Sequence, residues 1–378
     1  MLAPDRQTVF PVEARIEEAE PLGDRSADLF DAVNVGRLTL SNRVFMAPMT
    51  RSRAPLDGSP TPLMAEYYRQ RAGAGLIITE GTQPSAVGQG YPDTPGIYTD
   101  AHESGWAAIA DAVRGAGGRM FVQLMHAGRL SHPDNSGHQP VAPSSGVPEG
   151  QIYTHGGRKV CPPPRVLGKA DLPGVIDEFV QAAGRTVSAG VDGVELHGAN
   201  GYLLHQFLSD GTNRRSDEYG GEPAARAKFV VETVRAVAAH IGADRVGLRV
   251  SPGVQAEYAE ETDAWGPYEV LLRELADLGL GYLHVLTSDG MDMLRAIRSL
   301  WPGTLVVNTG FEEITDVTTA RELIRSGIAD AVSVGRPFIS NPDLVERWRT
   351  GEPIAPSDRS TYYGGGALGY TDYPSLAG

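Results

Sequence analysis

Eight short apolar or β-branched runs recur along the chain, at 43–49, 75–80, 119–125, 193–197, 246–250, 282–286, 305–308 and 331–334. Stretches of helical length and amphipathic period follow them, among them 104–116, 176–189, 225–240, 267–278, 316–326 and 342–350. Strands that alternate regularly with helices build a parallel sheet, because each helix must carry the chain back to the same edge. Eight such units suit a closed (β/α)8 TIM barrel, and a length of 378 residues lies within the range of one barrel with insertions.

An open doubly wound sheet is the competing fold. Against it, no Gly-x-Gly-x-x-Gly turn joins a strand to a helix. In favour of the barrel, polar residues recur at or just beyond the strand ends: Thr50, Gln123, His197, Arg249 and Arg336. Barrel enzymes keep their chemistry there. A segment rich in Pro, Gly, Ser and His, 127–170, separates the third strand from its helix and reads as a lid or binding loop. Residues 1–28 are acidic and lack a clean period, so they read as a flexible extension, leaving 29–378 as a single domain.

Thirty-three Lys and Arg face 47 Asp and Glu, a net charge of −14, which disfavours nucleic acid and anionic membranes as partners and leaves a small-molecule substrate. The one cysteine, Cys161, allows no internal disulfide and no Cys-rich metal site, so a reducing cytoplasm is the expected setting. The N-terminus shows no basic start followed by an apolar run, and no stretch is long and apolar enough for a membrane span. The histidines form no His-x3-His or carboxylate cluster, so no metal is expected. Oligomeric state is not legible.

The densest polar stretch is 191–202. Off the fourth strand, His197 and Asn200 can converge as two neutral donors on one oxygen, with the Tyr202 phenol nearby as a proton source. The alternative is a plain polar turn, since Asn-Gly is a common turn signal. Arg249, a cation in the apolar strand 246–250, needs its charge answered in the barrel mouth, by a structural ion pair or by an electron-rich cofactor. Asn308-Thr309-Gly310 and Gly335-Arg336-Pro337 follow strands seven and eight, where barrels often bind phosphate; each is otherwise only a turn. Thr50, after Ala47-Pro48-Met49, and Gln123 present donors and acceptors that suit a flavin's pyrimidine edge, or else cap a strand and satisfy backbone.

Together these segments closely resemble the old yellow enzyme family of FMN-dependent ene-reductases. The resemblance runs from 29 to 376 and is carried by 42–51, 67–72, 75–80, 197–207, 213–221, 335–344 and 362–374. It implies FMN held by Ala47, Pro48, Met49, Thr50, Gly81, Gln123, Arg249, Gly310, Gly335 and Arg336, with Thr50 near flavin O4 and Arg249 near N1 and O2. It also implies NADPH or NADH as hydride donor and reduction of α,β-unsaturated carbonyl or nitro compounds. His197 and Asn200 would hold the activating oxygen, Tyr202 would protonate the adjacent carbon, and Tyr91 and Tyr363 would wall the pocket.

Three departures bear on substrate choice and phosphate contact. Met125 stands where the family usually has tryptophan, so the pocket wall should be wider and more pliable. The segment 284–290 after strand six leads into a shorter loop, and 308–311 is less rich in Gly and Ala than the family pattern. A pathway-specific reductase, dehydrogenase or isomerase on the same flavin is the neighbouring reading. A phosphate-binding lyase would need a lysine or metal at a strand end, and Lys159, Lys169 and Lys228 are not so placed. A flavin sensor without turnover would leave His197, Asn200 and Tyr202 without a task.

Overall fold

The computed structural model describes residues 26–253, 261–286, 290–311 and 314–376. Within them the eight expected runs become a closed parallel barrel. The strands are β1 (Val44–Met46), β2 (Ile77–Ile78), β3 (Met120–Leu124), β4 (Gly193–Gly198), β5 (Val246–Val250), β6 (Tyr282–Leu286), β7 (Leu305–Asn308) and β8 (Ala331–Val334). Each pairs with the next, and β8 returns to β1 with Val332 opposite Val44 and Val334 opposite Met46. β1 stops short of the expected run because Pro48, two residues on, has no N–H to continue a ladder.

The helices that pack around the barrel are α1 (Pro62–Gln70), α2 (Asp100–Gly115), α3 (Leu172–Ser188), α4 (Leu203–Leu208), α5 (Pro223–Ile241), α6 (Gly266–Leu275), α7 (Gly290–Leu300), α8 (Val317–Arg325), α9 (Arg336–Ser340) and α10 (Leu344–Thr350). Several begin earlier than apolar periodicity suggests. α2 starts at Asp100 because the Thr99 side chain accepts the His102 N–H, and such a cap extends a helix by a polar first turn. α1 and α8 are capped likewise by Thr61 and Asp316.

Alternation along the strands sorts the interior. One apolar cluster lies between strands and helices; a second fills the lower end of the barrel with Phe45, Ile78, Phe121, Tyr282, Val306 and Ala331. A hairpin, Val33–Val35 against Leu38–Leu40, closes that end, with Val33, Val35 and Leu40 in the second cluster. Gly247 leaves room for the Tyr282 ring, which an added Cβ would meet at 2.3 Å. The next interior layer is polar and belongs to the site.

The segment 127–170 is a folded cap rather than an open loop. Gln151–Thr154 pairs antiparallel with Gly157–Val160, and Val141–Ala142 pairs with Arg165–Val166, so its backbone satisfies itself. Residues 361–370, near the end of the chain, are strapped to the first two units. Arg51 donates to Tyr362 O at 2.9 Å and Gly369 O at 2.8 Å, Arg53 to Thr361 O at 2.8 Å, and Arg71 to Tyr370 O at 3.4 Å. Tyr370 stacks on Tyr67 with centroids 4.0 Å apart. At the other terminus the expected extension lies, up to residue 25, outside the described residues, as do 287–289 of the expected short loop. Ala27 is already buried in the core and Asp28 pairs with Arg325. Among the described residues no helix is long and apolar enough to cross a membrane.

Candidate active site

Polar side chains replace apolar ones one pleat above the lower cluster. Gln123 of β3 donates to Glu195 of β4 at 2.8 Å, and His284 of β6 meets the other Glu195 oxygen at 2.8 Å and Ser333 of β8 at 2.7 Å. Asn308 of β7 donates to Ser333 Oγ at 3.1 Å. Because a carboxylate only accepts, His284 Nδ1–H donates to Glu195, and Nε2 of the neutral ring accepts from the Ser333 hydroxyl. Burial keeps the His284 imidazole neutral, below its ordinary range. Glu195, fully buried, stays a carboxylate because these donors and the nearby Arg249 charge outweigh its desolvation.

His197 of β4 and Arg249 of β5, register partners, come one pleat further toward the strand ends. Burial, and then the Arg249 charge, hold the His197 imidazole well below its ordinary pKa, so it is neutral. Its Nδ1 accepts the Ala199 N–H at 3.3 Å, which leaves the ring proton on Nε2 as a donor. Arg249 is 4% exposed, and its buried Nε and Nη1 have no partner among the described residues. Burial lowers its pKa, opposed by Glu195, Tyr282 and Tyr202. A guanidinium cannot shed its proton in a protein, so this fork calls for acceptors from outside the chain.

The turn after β4 is pinned at every backbone N–H from 199 to 202. Ala199 donates to His197 Nδ1, Asn200 to Ser251 Oγ at 3.0 Å, Gly201 to His205 Nδ1 at 2.7 Å and Tyr202 to Ala199 O at 3.2 Å. Asn200 has φ +57 and Gly201 φ +81, left-handed conformations that Asn and Gly tolerate best. Asn200 Oδ1 is buried with no partner among the described residues. The Tyr202 ring stands edge-on to His197 with centroids 4.8 Å apart, and its hydroxyl lies 3.0 Å from that of Tyr91.

The remaining expected residues gather at the same strand ends, with one exception. Ala47 is buried, its N–H on Val334 O at 2.9 Å, while Pro48, Met49 and Thr50 are half-buried. A Cβ on Gly335 would stand 3.6 Å from Met49 Sδ, so β1 and β8 converge there. Arg336 donates to Phe311 O, drawing the ends of β7 and β8 together beside Gly310, whose φ is +100. Met125, 2% exposed, leans on Gly81: its Sδ lies 2.6 Å from where a Cβ there would sit. Tyr363 is the exception, 66% exposed on the C-terminal strap with its ring against Tyr362. All three lysines sit in ion pairs away from the strand ends, Lys159 with Asp134, Lys169 with Glu218 and Lys228 with Glu232, so none is placed for a Schiff base.

Sequence reasoning missed Glu195, His284, Ser333, Ser251, His205 and Glu261. The signal for the first two was present, since each is an ionisable residue inside an apolar strand, the property that singled out Arg249.

The residues present fit FMN. Arg249 offers an unpaired cationic fork to a planar, acceptor-rich edge, and Gly335 leaves its backbone open to close approach, an added Cβ there meeting nothing nearer than 3.6 Å. Fold and site thus define a flavin-dependent barrel oxidoreductase. Residues 28–354 match the model of the NADH:flavin oxidoreductase / NADH oxidase family. 12-Oxophytodienoate reductase 7 of Oryza sativa subsp. japonica is 38% identical over 93% of this chain and 95% of its own length. The old yellow enzyme homologue of Zymomonas mobilis superposes with a TM-score of 0.90 at 39% identity, covering 93% of this chain and 100% of that one. Morphinone reductase in complex with tetrahydroNAD superposes at 0.88 with 43% identity, covering 93% and 98%. The chain belongs to this family, the old yellow enzymes, and is an FMN-dependent enzyme that reduces activated carbon-carbon double bonds at the expense of NAD(P)H.

Proposed function

We propose that the substrates are α,β-unsaturated carbonyl compounds, with nitroalkenes as a second group, and that His197, Asn200 and Tyr202 carry the substrate chemistry. The observation behind this reading is the pinned turn, which sets Asn200 and Tyr202 beside the neutral His197 and next to the unpaired fork of Arg249. When bound, FMN supplies a relay of hydride from a nicotinamide to the substrate's β-carbon. His197 Nε2–H and the Asn200 amide hold the carbonyl or nitro oxygen and stabilise the negative charge that grows on it. Tyr202 gives its phenolic proton to the α-carbon, and Tyr91, 3.0 Å away, can restore it. Arg249, with Ala47 to Thr50, Gly81, Gln123, Gly310, Gly335 and Arg336, holds the cofactor; Met125 lies against Gly81 at its edge.

Two relatives are named for the reduction of an oxophytodienoate and a morphinone. Those names support a carbonyl-bearing substrate here, and either NADPH or NADH as donor. Residues 29–378 form one FMN-binding unit in this reading, and the single cysteine supports a cytoplasmic setting.

The test is His197→Ala combined with Asn200→Gly, glycine being chosen because φ at 200 is positive. Affinity of the yellow holoenzyme for a para-substituted phenol, followed by flavin absorbance, should fall by on the order of a few kcal/mol while FMN stays bound. Unchanged phenol affinity would remove these two residues from the substrate site.

A further inference from the structure

The turn that presents Asn200 and Tyr202 is held from behind by a buried pair that lies outside the residues assigned above to substrate and FMN. His205 of α4 is fully buried, next to the equally buried Gln206, whose amide donates to Gly201 O at 2.7 Å. Its Nδ1 accepts the Gly201 N–H at 2.7 Å, so its proton is on Nε2, which donates to Glu261 Oε1 at 3.0 Å. Glu261 is buried too, its side chain 3% exposed. Its Oε1 also accepts from the Tyr268 hydroxyl at 3.1 Å, and its Oε2 from the Gly253 N–H at 3.2 Å, just beyond β5. One carboxylate therefore ties together α4, α6 and the end of the strand that carries Arg249.

This arrangement fixes a tautomer. With Nε2–H committed to a carboxylate, Nδ1 must remain an acceptor, and the donor it meets is the Gly201 amide, between Asn200 and Tyr202. Asn and Gly permit the left-handed turn at 200 and 201, and its hydrogen-bond partners fix where it points. We propose that His205 and Glu261 are positioning residues for the reaction: through the Gly201 amide they set the turn that aims the Asn200 amide and the Tyr202 phenol at the substrate. The inference rests on the roles given above to Asn200 and Tyr202.

The test compares FMN-loaded wild type with His205→Leu, His205→Asn, Glu261→Gln and Tyr202→Phe. Leucine removes the acceptor while keeping bulk. Asparagine returns an oxygen near the place of Nδ1. Glutamine has one acceptor oxygen for three donors that now share two. In His205→Leu, oxidation of the reduced enzyme by 2-cyclohexenone should slow by roughly 10- to 100-fold, since misplacing reacting groups by an ångström has effects of that order. Phenol affinity should fall with it, reduction by NADPH should change much less, and FMN content should not change. His205→Asn should recover most of both losses, and Glu261→Gln should show the same selective slowing, which carries the test if leucine at 205 prevents folding. Selective slowing in Tyr202→Phe alone, with His205→Leu and Glu261→Gln like wild type, would overturn the positioning role. So would an equal loss in both half-reactions that asparagine does not rescue, the mark of a purely structural contact. A Tyr202→Phe enzyme indistinguishable from wild type would instead overturn the functional reading on which the pair depends.

Discussion

Met125 shows how one side chain can set the reach of the site. Its thioether lies over Gly81, so close that a methyl group there would have to displace it. By the family pattern an indole belongs at this position, and an unbranched thioether leaves the neighbouring wall thinner and more compliant. Bulky or ring-fused enones should therefore fit, including in a flipped orientation. Met125→Trp is expected to lower kcat/KM for such substrates more than for cyclohexenone, with a change in discrimination of roughly 1 to 3 kcal/mol, enough to alter product enantiomeric ratio. Chiral chromatography of the products decides it. Identical size selectivity and identical ratios would mean that Met125 only packs against Gly81.

At the scale of elements, the turn 199–202 depends on glycine at 201, where φ is +81. Gly201→Ala should destabilise the protein by about 1 to 2 kcal/mol, the cost of a Cβ in the left-handed region, and should weaken phenol binding at the same time. Urea unfolding and a phenol titration on the same preparation would show both effects; a loss of stability with full phenol affinity would separate the turn from the site. The strands were legible because apolar, β-branched runs repeat with turn residues between them, and the ends of the fourth and fifth strands were legible because His197 and Arg249 break apolar runs and Asn200-Gly201 signals a turn. The helix starts were not, since Thr99 and the turn it caps contribute no apolar period. Nor were the partners of the turn. Ser251 and Glu261 come from beyond the next strand, and the packing of that segment against the turn brings one to the Asn200 amide and the other to His205.

For the molecule as a whole, neutral buried histidines make acid a destabilising condition. Burial lowers the His126 pKa to about 4, with its Nδ1 accepting the Gly128 N–H. The unfolded chain takes up this proton near pH 6.5, whereas the folded protein resists until about pH 4. Stability is thus complete above the upper value and falls as pH drops through the window, at about 1.4 kcal/mol per unit for this group. His197 and His284, shifted in the same direction, add to the slope. Urea midpoints between pH 7 and 4.5 should show the decline, and His126→Asn should make it shallower; an unchanged slope would place the acid sensitivity elsewhere. The strap at the other end of the chain bears on the order of events in synthesis. Arg51 and Arg71 reach carbonyls 318 and 299 residues downstream. On the ribosome both guanidinium groups are made early; the Tyr67 hydroxyl and the carbonyls of Tyr67, Phe338 and Ile339 take part of their N–H groups, and the acceptors at 361–370 come later. A product stopped before the strap lacks the Tyr362 and Gly369 carbonyls that Arg51 uses and the Tyr370 carbonyl that Arg71 uses, so emergence of the strap completes the polar contacts of the first two units.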